Sequence, residues 1–430
     1  MRKVNYKGWQ QLLHPFHLFR FPQYRLIWLI NTLVNTGQWT FLFASGWEAY
    51  AITQSSAWSG AIVFAVFVPS LFGAPFVGAI VDKIDRKQIL ALSLVLSTLL
   101  NAVQAMLSFA GYRSIITLFT IALLYGISLS LQSVTISSLV PGSVPAKQLF
   151  NAVYLQSVAQ RGAEFIGPAL TTPLMITNNP SAVYLFTTIV YFLSLLFSRR
   201  FYTTQNTILQ EKNDSGFLFM IKKGIYYIAQ TKKLRTIISL TSLHCVLTMS
   251  YVGLLPIFIN KAIKADASFY GTLLSFIGLG AIIGITFLTL WNISDLRNRL
   301  LWASAFISAL SLVALSVSSG RLAIELSGFS TGLSQGMFMT LAVAMIQEMT
   351  EENYRGRVNS VYLLATSGLM SIFNLLYSIL GNYFPVRSLF TFMGLTFFLI
   401  TILFWFHNPF IYIIQDRTDK TPKTRQRKVG

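Results

Sequence analysis

From residue 26 onward the chain runs in long apolar blocks, each closed by a short polar or charged segment. Twelve blocks stand out, at about 26–50, 57–81, 88–110, 114–138, 149–176, 181–198, 233–259, 267–291, 300–319, 322–348, 358–384 and 388–412. A helix needs roughly 20 mostly apolar residues to cross a bilayer, whereas a membrane strand needs about ten and alternates in polarity. These blocks are too long and too evenly apolar for strands. The pattern predicts an all-α, polytopic membrane protein with twelve transmembrane helices. The first block is of spanning length and eleven more follow, so it reads as a helix of the mature chain and not as a signal peptide.

The blocks divide six and six around the polar stretch 199–232. The predicted organisation is a cytoplasmic N-terminal segment (1–25), a first bundle (26–198), a central cytoplasmic loop (199–232), a second bundle (233–412) and a basic cytoplasmic tail (413–430). Within the loop, "FLFMIKKGIYYIAQTKK" mixes aromatic and aliphatic residues with lysines, as a helix lying at the membrane surface does. The halves echo each other: "FNAVYLQ" (150–156) corresponds to "VNSVYLL" (358–364), 208 positions on. A fainter pair is "QYRLI" before the first block and "KLRTI" before the seventh. Parallel repeats of this kind occur in secondary transporters.

Composition sharpens the picture. Hydrophobic residues make up 54% of the 430 and charged residues 11%, against about 25% charged in a soluble protein. The formal charge is +19, and 27 of the 33 Lys and Arg fall on the side that holds both termini. By the positive-inside rule that side is cytoplasmic. Cations beside a membrane meet anionic headgroups at about 1 kcal/mol each, which accounts for the charge without nucleic acid. The single cysteine, Cys245, rules out a disulfide framework or a cysteine-based metal site. His14 and His17 lack further ligands, so no metal or cofactor is expected.

The densest charge cluster lies in "GAIVDKIDRKQIL", between the second and third blocks. Gly78, Asp82, Arg86 and Lys87 fit the signature G-x-x-x-D-R-x-x-R-[RK] of the major facilitator superfamily, with Lys83 where Arg is commoner. "RFPQYRLIWL", "FNAVYLQSVAQRGAEFIGPAL" and "ENYRGRVNSVYLL" extend the likeness over the whole chain. The protein resembles the enterobactin-exporter and macrolide-efflux branch of that superfamily. The resemblance implies a monomer of two pseudo-symmetric six-helix bundles, and a loop that latches the halves in the outward-facing state. Gly78 would let the second and eleventh helices approach closely. The equivalent stretch of the second half, "GITFLTLWNISDLRNRL", keeps Gly284, Asp295, Arg297 and Arg299 but not the spacing. "GPALTTP" in the fifth block carries the Gly167–Pro168 pair that, in this family, marks exporters more than importers; Thr171 and Thr172 replace the usual glycines. Pro168 lacks an N–H, so the helix is expected to bend there.

Charges within the blocks are scarce, and each is costly inside a bilayer. Arg161 and Glu164 lie mid-block, three residues apart on one helix face. The family tends to have arginine where Glu164 stands. Glu164 is the candidate proton-coupling carboxylate with Arg161 modulating it; a static, self-neutralising pair is the alternative. Glu48, near the outer end of the first block, either shares in coupling or reaches the outer headgroups, as Glu325 in the tenth does. Glu348 is expected to pair with Arg355 and Arg357 as the second half's cytoplasmic latch. His244 either carries protons or is packed and hydrogen-bonded. Asn31, Asn35 and Gln38 recur at helical spacing and, with Gln160, are candidates for a cavity wall; Trp39, Phe41 and Phe43 offer an apolar one. Gly278, Gly280 and Gly284 read as a packing face.

No P-loop, H-E-x-x-H or supported G-x-S-x-G motif occurs, so neither an ATP-driven pump nor a hydrolase is expected. The sequence reading is a secondary active transporter of the bacterial inner membrane that exports a small amphipathic or hydrophobic molecule, of drug or siderophore class, against inward proton flow. Uptake, lipid translocation and a non-transporting scaffold or sensor are the alternatives.

Overall fold

A computed structural model describes residues 15–81, 85–145, 148–175, 179–200, 217–290, 296–351 and 354–407. Among them the regular elements are all helical. The first half holds α1 (Pro22–Thr53), α2 (Ser56–Val81), α3 (Arg86–Phe109), α4 (Ile115–Leu139), α5 (Leu149–Thr171) and α6 (Ser181–Arg199). A linker helix α7 (Phe217–Gln230) follows. The second half holds α8 (Lys232–Ile263), α9 (Ala267–Leu290), α10 (Arg297–Val317), α11 (Arg321–Met349), α12 (Arg355–Leu380) and α13 (Val386–His407). Nine helices in the described residues are long and apolar enough to cross a membrane. α1 and α5, which carry most of the candidate polar residues, are not among the nine.

Local chemistry sets the ends. Asp85 caps α3 by accepting from the Lys87 N–H at 3.0 Å, Ser114 caps α4, and Asp266 accepts from the Phe269 N–H at the start of α9. Gln54 and Lys264 take left-handed conformations where α1 and α8 stop. Side-chain placement is inverted relative to a soluble protein. On α3, Ser93, Ser97, Asn101, Gln104 and Ser108 are buried, while Leu92, Leu99, Val103 and Met106 face outward. The exposed apolar faces of α6 (Leu185, Ile189, Phe192) and α13 (Phe392, Leu399, Leu403) match a hydrocarbon solvent.

α1 packs on α5 and α6, and α2 and α3 pack on α4. In the second half α9 and α10 pack on α11, and α10 also on α13. The halves meet where α5 crosses α9 and α2 crosses α12. α7 docks on the start of α12: Tyr227 stacks on Tyr354 at 4.2 Å, and a Cβ at Gly224 would fall 2.7 Å from the Arg357 carbonyl oxygen.

Two helices depart from the regular spans expected. α8 is broken into a helix to His244, a π-helical turn at Cys245–Met249, a 3₁₀ turn at Val252–Leu254 and a second π turn at Phe258–Ile263. Pro256 cannot donate a helical hydrogen bond, and Ser250 Oγ donates to the Cys245 and Met370 carbonyls. α12 carries a π turn at Leu364–Gly368. Such turns inside helices are frequent at functional sites.

Candidate functional site

The inter-bundle hydrogen bonds seen among the described residues gather at the end of the molecule opposite the basic helix termini. Tyr50 donates to Asn260 Oδ1 at 3.0 Å. Asn382 Oδ1 accepts from the Ser56 N–H at 3.0 Å, and its Nδ2 donates to Ser55 Oγ at 2.8 Å. Ser56 Oγ donates to the Ser378 carbonyl at 2.6 Å. Trp47 and Phe43 pack their rings on Tyr270 across the same seam. Gly60 and Gly253 lie so close that a Cβ on Gly253 would stand 2.7 Å from the Gly60 Cα, so only glycine fits this approach.

Toward the basic end the first bundle holds a cavity of about 250 Å³. Its walls include Asn31, Asn35 and Gln38 from α1, Ser133 and Ser137 from α4, and Gln156 and Gln160 from α5. The structure thus brings Asn31, Asn35, Gln38 and Gln160 into one lining. Gln156, Ser133 and Ser137 are among the polar wall residues that the sequence reading left out, although the position of Gln156 one turn before Gln160 was a usable signal. Both of its amide atoms are buried without a partner. Phe41 and Phe43 are fully buried in packing and do not line this cavity, whose walls combine the amides and hydroxyls with aliphatic side chains such as Val34, Leu129 and Ile136.

Next to Gln160 in the chain, Arg161 Nη1 donates to Glu164 Oε1 at 2.7 Å. The side chains keep 31% and 16% of their surface accessible. Tyr362 and Cys245, on the other bundle, are close enough to interact with the guanidinium charge. At the same level α5 meets α9: a Cβ on Gly278 would fall 2.5 Å from the Phe165 nitrogen and 2.7 Å from the Glu164 carbonyl carbon. The glycine face of α9 is therefore divided, with Gly278 against α5 and Gly280 and Gly284 against α11. α5 runs through Pro168 and ends at Thr171. Gly167 lies against Thr36 and Trp39 of α1.

Glu48 does not reach toward headgroups. It is buried, and its Oε2 accepts from Tyr184 Oη at 2.6 Å and from Gln104 Nε2 at 3.0 Å. The reason is the buried polar face of α3, which offers the carboxylate a donor inside the bundle. His244 is packed on Phe338, with Nε2 3.0 Å from Ser308 Oγ. Glu348 accepts two hydrogen bonds from Arg297, at 2.7 and 2.8 Å, where Arg355 and Arg357 had been expected. α10 begins beside the end of α11 and brings Arg297 there, while Arg357 lies over the Tyr354 ring. Glu325 is held by Arg321 at 3.2 Å.

At the start of α3, Arg86 Nη1 donates to the Ser138 carbonyl at 3.2 Å and Lys87 Nζ to the Arg199 carbonyl at 3.3 Å. Both reach elements of their own bundle. Asp82, Lys83, Asp295 and the terminal basic segments lie outside the described residues, as does the side-chain environment of Gly78.

Residues 13–419 match the family model described as "Transmembrane secretion effector". The chain is 23% identical over 377 residues to the staphyloferrin A transporter of Staphylococcus aureus, covering 87% of this chain and 94% of that one. It is 20% identical over 363 residues to an uncharacterized MFS-type transporter, y4rN, of Sinorhizobium fredii, covering 84% and 86%. Among solved structures, a POT family transporter in complex with 5-aminolevulinic acid superposes with a TM-score of 0.72 at 13% identity, over 91% of this chain and 96% of that one. The nucleoside transporter NupG (D323A mutant) does so with 0.69 at 12%, over 91% and 100%. At these identities the likeness is one of fold.

Proposed function

Because the chain belongs to the transmembrane secretion effector family of the major facilitator superfamily, and is thus a multi-pass membrane transporter and not an enzyme, we propose that it is a secondary active exporter working by alternating access. The observation that carries this reading is an asymmetry. Hydrogen bonds join the two halves at one end, while an amide- and hydroxyl-lined cavity lies toward the other. A carrier caught open to one side has that form. The cargo is a small amphipathic compound of drug or siderophore class, in keeping with the name of the Staphylococcus aureus relative. The chain works as a monomer, with twelve spans in two bundles (26–198 and 233–412) joined by the central loop 199–232. The basic end faces the cytoplasm of a bacterial inner membrane and its anionic headgroups.

Protons drive the cycle through Glu164, with Arg161 setting its charge state. Glu164 stands on α5 at the crossing between the halves, and Arg161 is its ion-pair partner. Burial disfavours a carboxylate's charge and a nearby guanidinium favours it, so rocking α5 against α9 changes the balance. The test is reconstitution into vesicles under an imposed pH gradient, with a panel of siderophores and drugs. Gradient-dependent accumulation in vesicles holding inverted protein is expected. Accumulation in the opposite sense would make the protein an importer, and movement that ignores the gradient would remove the proton from the cycle.

A further inference from the structure

None of the residues that line the cavity between α1, α4 and α5 is ionisable. Arg161 and Glu164, the charges nearest to it along α5, are paired with each other and are not in the wall. The polar wall residues fall into two sets. Asn31 and Asn35 belong to the framework. Asn35 Nδ2 donates to the Asn31 carbonyl at 2.7 Å and to Asn31 Oδ1 at 3.0 Å, and Asn31 Nδ2 donates to the Gln156 carbonyl at 3.3 Å, which ties α1 to α5. The Gln156 carboxamide itself has no accessible surface and stays behind the wall. The second set is uncommitted. The side chains of Gln38 on α1, Gln160 on α5, and Ser133 and Ser137 on α4 make no hydrogen bond among the described residues. Gln160, Ser133 and Ser137 are exposed and Gln38 is partly so. Ser133 and Ser137 stand one turn apart, on one face of α4. Free amides and hydroxyls within a membrane bundle are costly unless water or a ligand meets them.

We propose that this cavity receives an uncharged amide- or hydroxyl-bearing group of the cargo and rejects an anionic one, with Gln38 and Gln160 as the residues that set the choice. A carboxamide both donates and accepts, so it pairs with another amide through two complementary hydrogen bonds, and the hydroxyls of Ser133 and Ser137 serve in either sense. A carboxylate only accepts. It would leave the glutamine carbonyl oxygens unmatched, and no cation in the wall would offset its lost hydration. Size sets a second limit. Benzene fills a cavity of about 150 Å³, so a volume of about 250 Å³ holds a group of about ten non-hydrogen atoms. Val34, Leu129 and Ile136 give that group an aliphatic contact beside the polar one. The cavity therefore takes the neutral polar head of an amphipathic molecule. Recognition and proton coupling are then adjacent but separate, with Gln160 in the wall and the Arg161–Glu164 pair outside it. This inference rests on the transporter reading and names the cargo chemistry of the same cavity.

The experiment uses the purified full-length protein in detergent at neutral pH and reads weak binding by saturation-transfer NMR. Succinamide is the probe. Its charged isostere succinate and the donor-free dimethyl succinate are the comparisons. Succinamide should bind about tenfold more tightly than either. Gln38→Leu and Gln160→Leu should each weaken it about tenfold, because each removes a hydrogen-bonding group from the wall. Both side chains are accessible and unbonded, so leucine strands no buried partner, and the melting temperature without ligand should hold. Gln38→Lys supplies the missing counter-ion at nearly the same length and should reverse the order, with succinate ahead of succinamide. A glutamine that only holds helices together would give no such reversal. Equal or tighter binding of succinate by the unaltered protein, an unreversed preference in Gln38→Lys, or no binding of succinamide would overturn the assignment. Vesicle accumulation of whole drugs or siderophores tests the exporter reading separately. Transport without succinamide binding removes the amide chemistry alone, and succinamide binding without transport removes the exporter alone.

Discussion

Asn382→Ala is the most direct perturbation of the closed seam. The side chain accepts from the Ser56 N–H at 3.0 Å and donates to Ser55 Oγ at 2.8 Å, both across the inter-bundle boundary. A hydrogen bond contributes about 0.5–1.5 kcal/mol net. The Asn382–Ser55 bond is exposed, and water replaces it readily, so the pair amounts to roughly 1.5 kcal/mol. That is about a tenfold change in an equilibrium constant. If the state open at this end is populated at about 1%, which is ordinary for a two-state protein, the variant raises it to about 10%. The free energy is lost only from the conformation in which the seam is closed, so the effect is a population shift and not a general loss of stability. Spin labels at Tyr112→Cys and Ser319→Cys, in a Cys245→Ala background, report this end from opposite bundles. Labels at Arg200→Cys and Arg299→Cys report the other. The long-distance fraction should grow at the first pair as the second pair shortens. An unchanged distribution at both ends, or opening at the basic end, would refute the claim that these hydrogen bonds hold the seam.

Glu164→Gln should lose uphill transport while keeping downhill exchange, and should express normally; if the pair is only structural, the stranded arginine costs up to about 3 kcal/mol and expression falls. In the static-pair case the double variant with Arg161→Gln recovers both folding and uphill transport, which would reject the coupling role. Gly278→Val pushes a side chain into the α5 backbone, and overpacking of this kind costs about 1–3 kcal/mol; transport should slow even where the protein folds, and a normal rate would show that the α5–α9 approach is dispensable. Tyr184→Phe removes the 2.6 Å donor from buried Glu48 and should lower thermal stability by about 1–3 kcal/mol. An unchanged melting temperature would mean that water takes over the bond.

Much of the architecture was legible because bilayer thickness imposes a single length scale: among the described residues a helix underlies each of the twelve apolar blocks, and nine of these helices are long and apolar enough to cross a membrane. The linker helix was legible because aromatic and aliphatic residues mix with lysines in one short segment between the halves. The division of the α9 glycine face was not. Gly278 and Gly280 are two residues apart, and only packing on two different neighbours tells them apart. The partner of Glu348 was read from proximity in sequence, toward Arg355 and Arg357, whereas the packing of α10 on α11 brings Arg297 to it from 51 positions away. The breaks in α8 were also hidden, since a π turn follows from tertiary hydrogen bonds such as Ser250 to the Met370 carbonyl and leaves no mark in hydropathy.

Two carboxylates, buried Glu48 and half-buried Glu164, compete for the coupling role, and their surroundings separate them. Glu48 takes its hydrogen bonds from Gln104 on α3 and Tyr184 on α6, both in its own bundle. When two bundles rock as rigid bodies, those donors move with it and its solvation changes little. Glu164 sits where α5 touches Gly278 of the opposite bundle, and its partner Arg161 interacts with Cys245 and Tyr362 there. Every displacement of one bundle against the other must alter what surrounds that pair. A charge that senses conformation has to lie on the moving boundary, and proton coupling needs such a charge. By that reasoning Glu48→Gln should cost stability with uphill transport retained in the molecules that fold, whereas Glu164→Gln should cost uphill transport with stability retained. Reversal of the two phenotypes in a vesicle assay normalised to folded protein would move the coupling site into the first bundle.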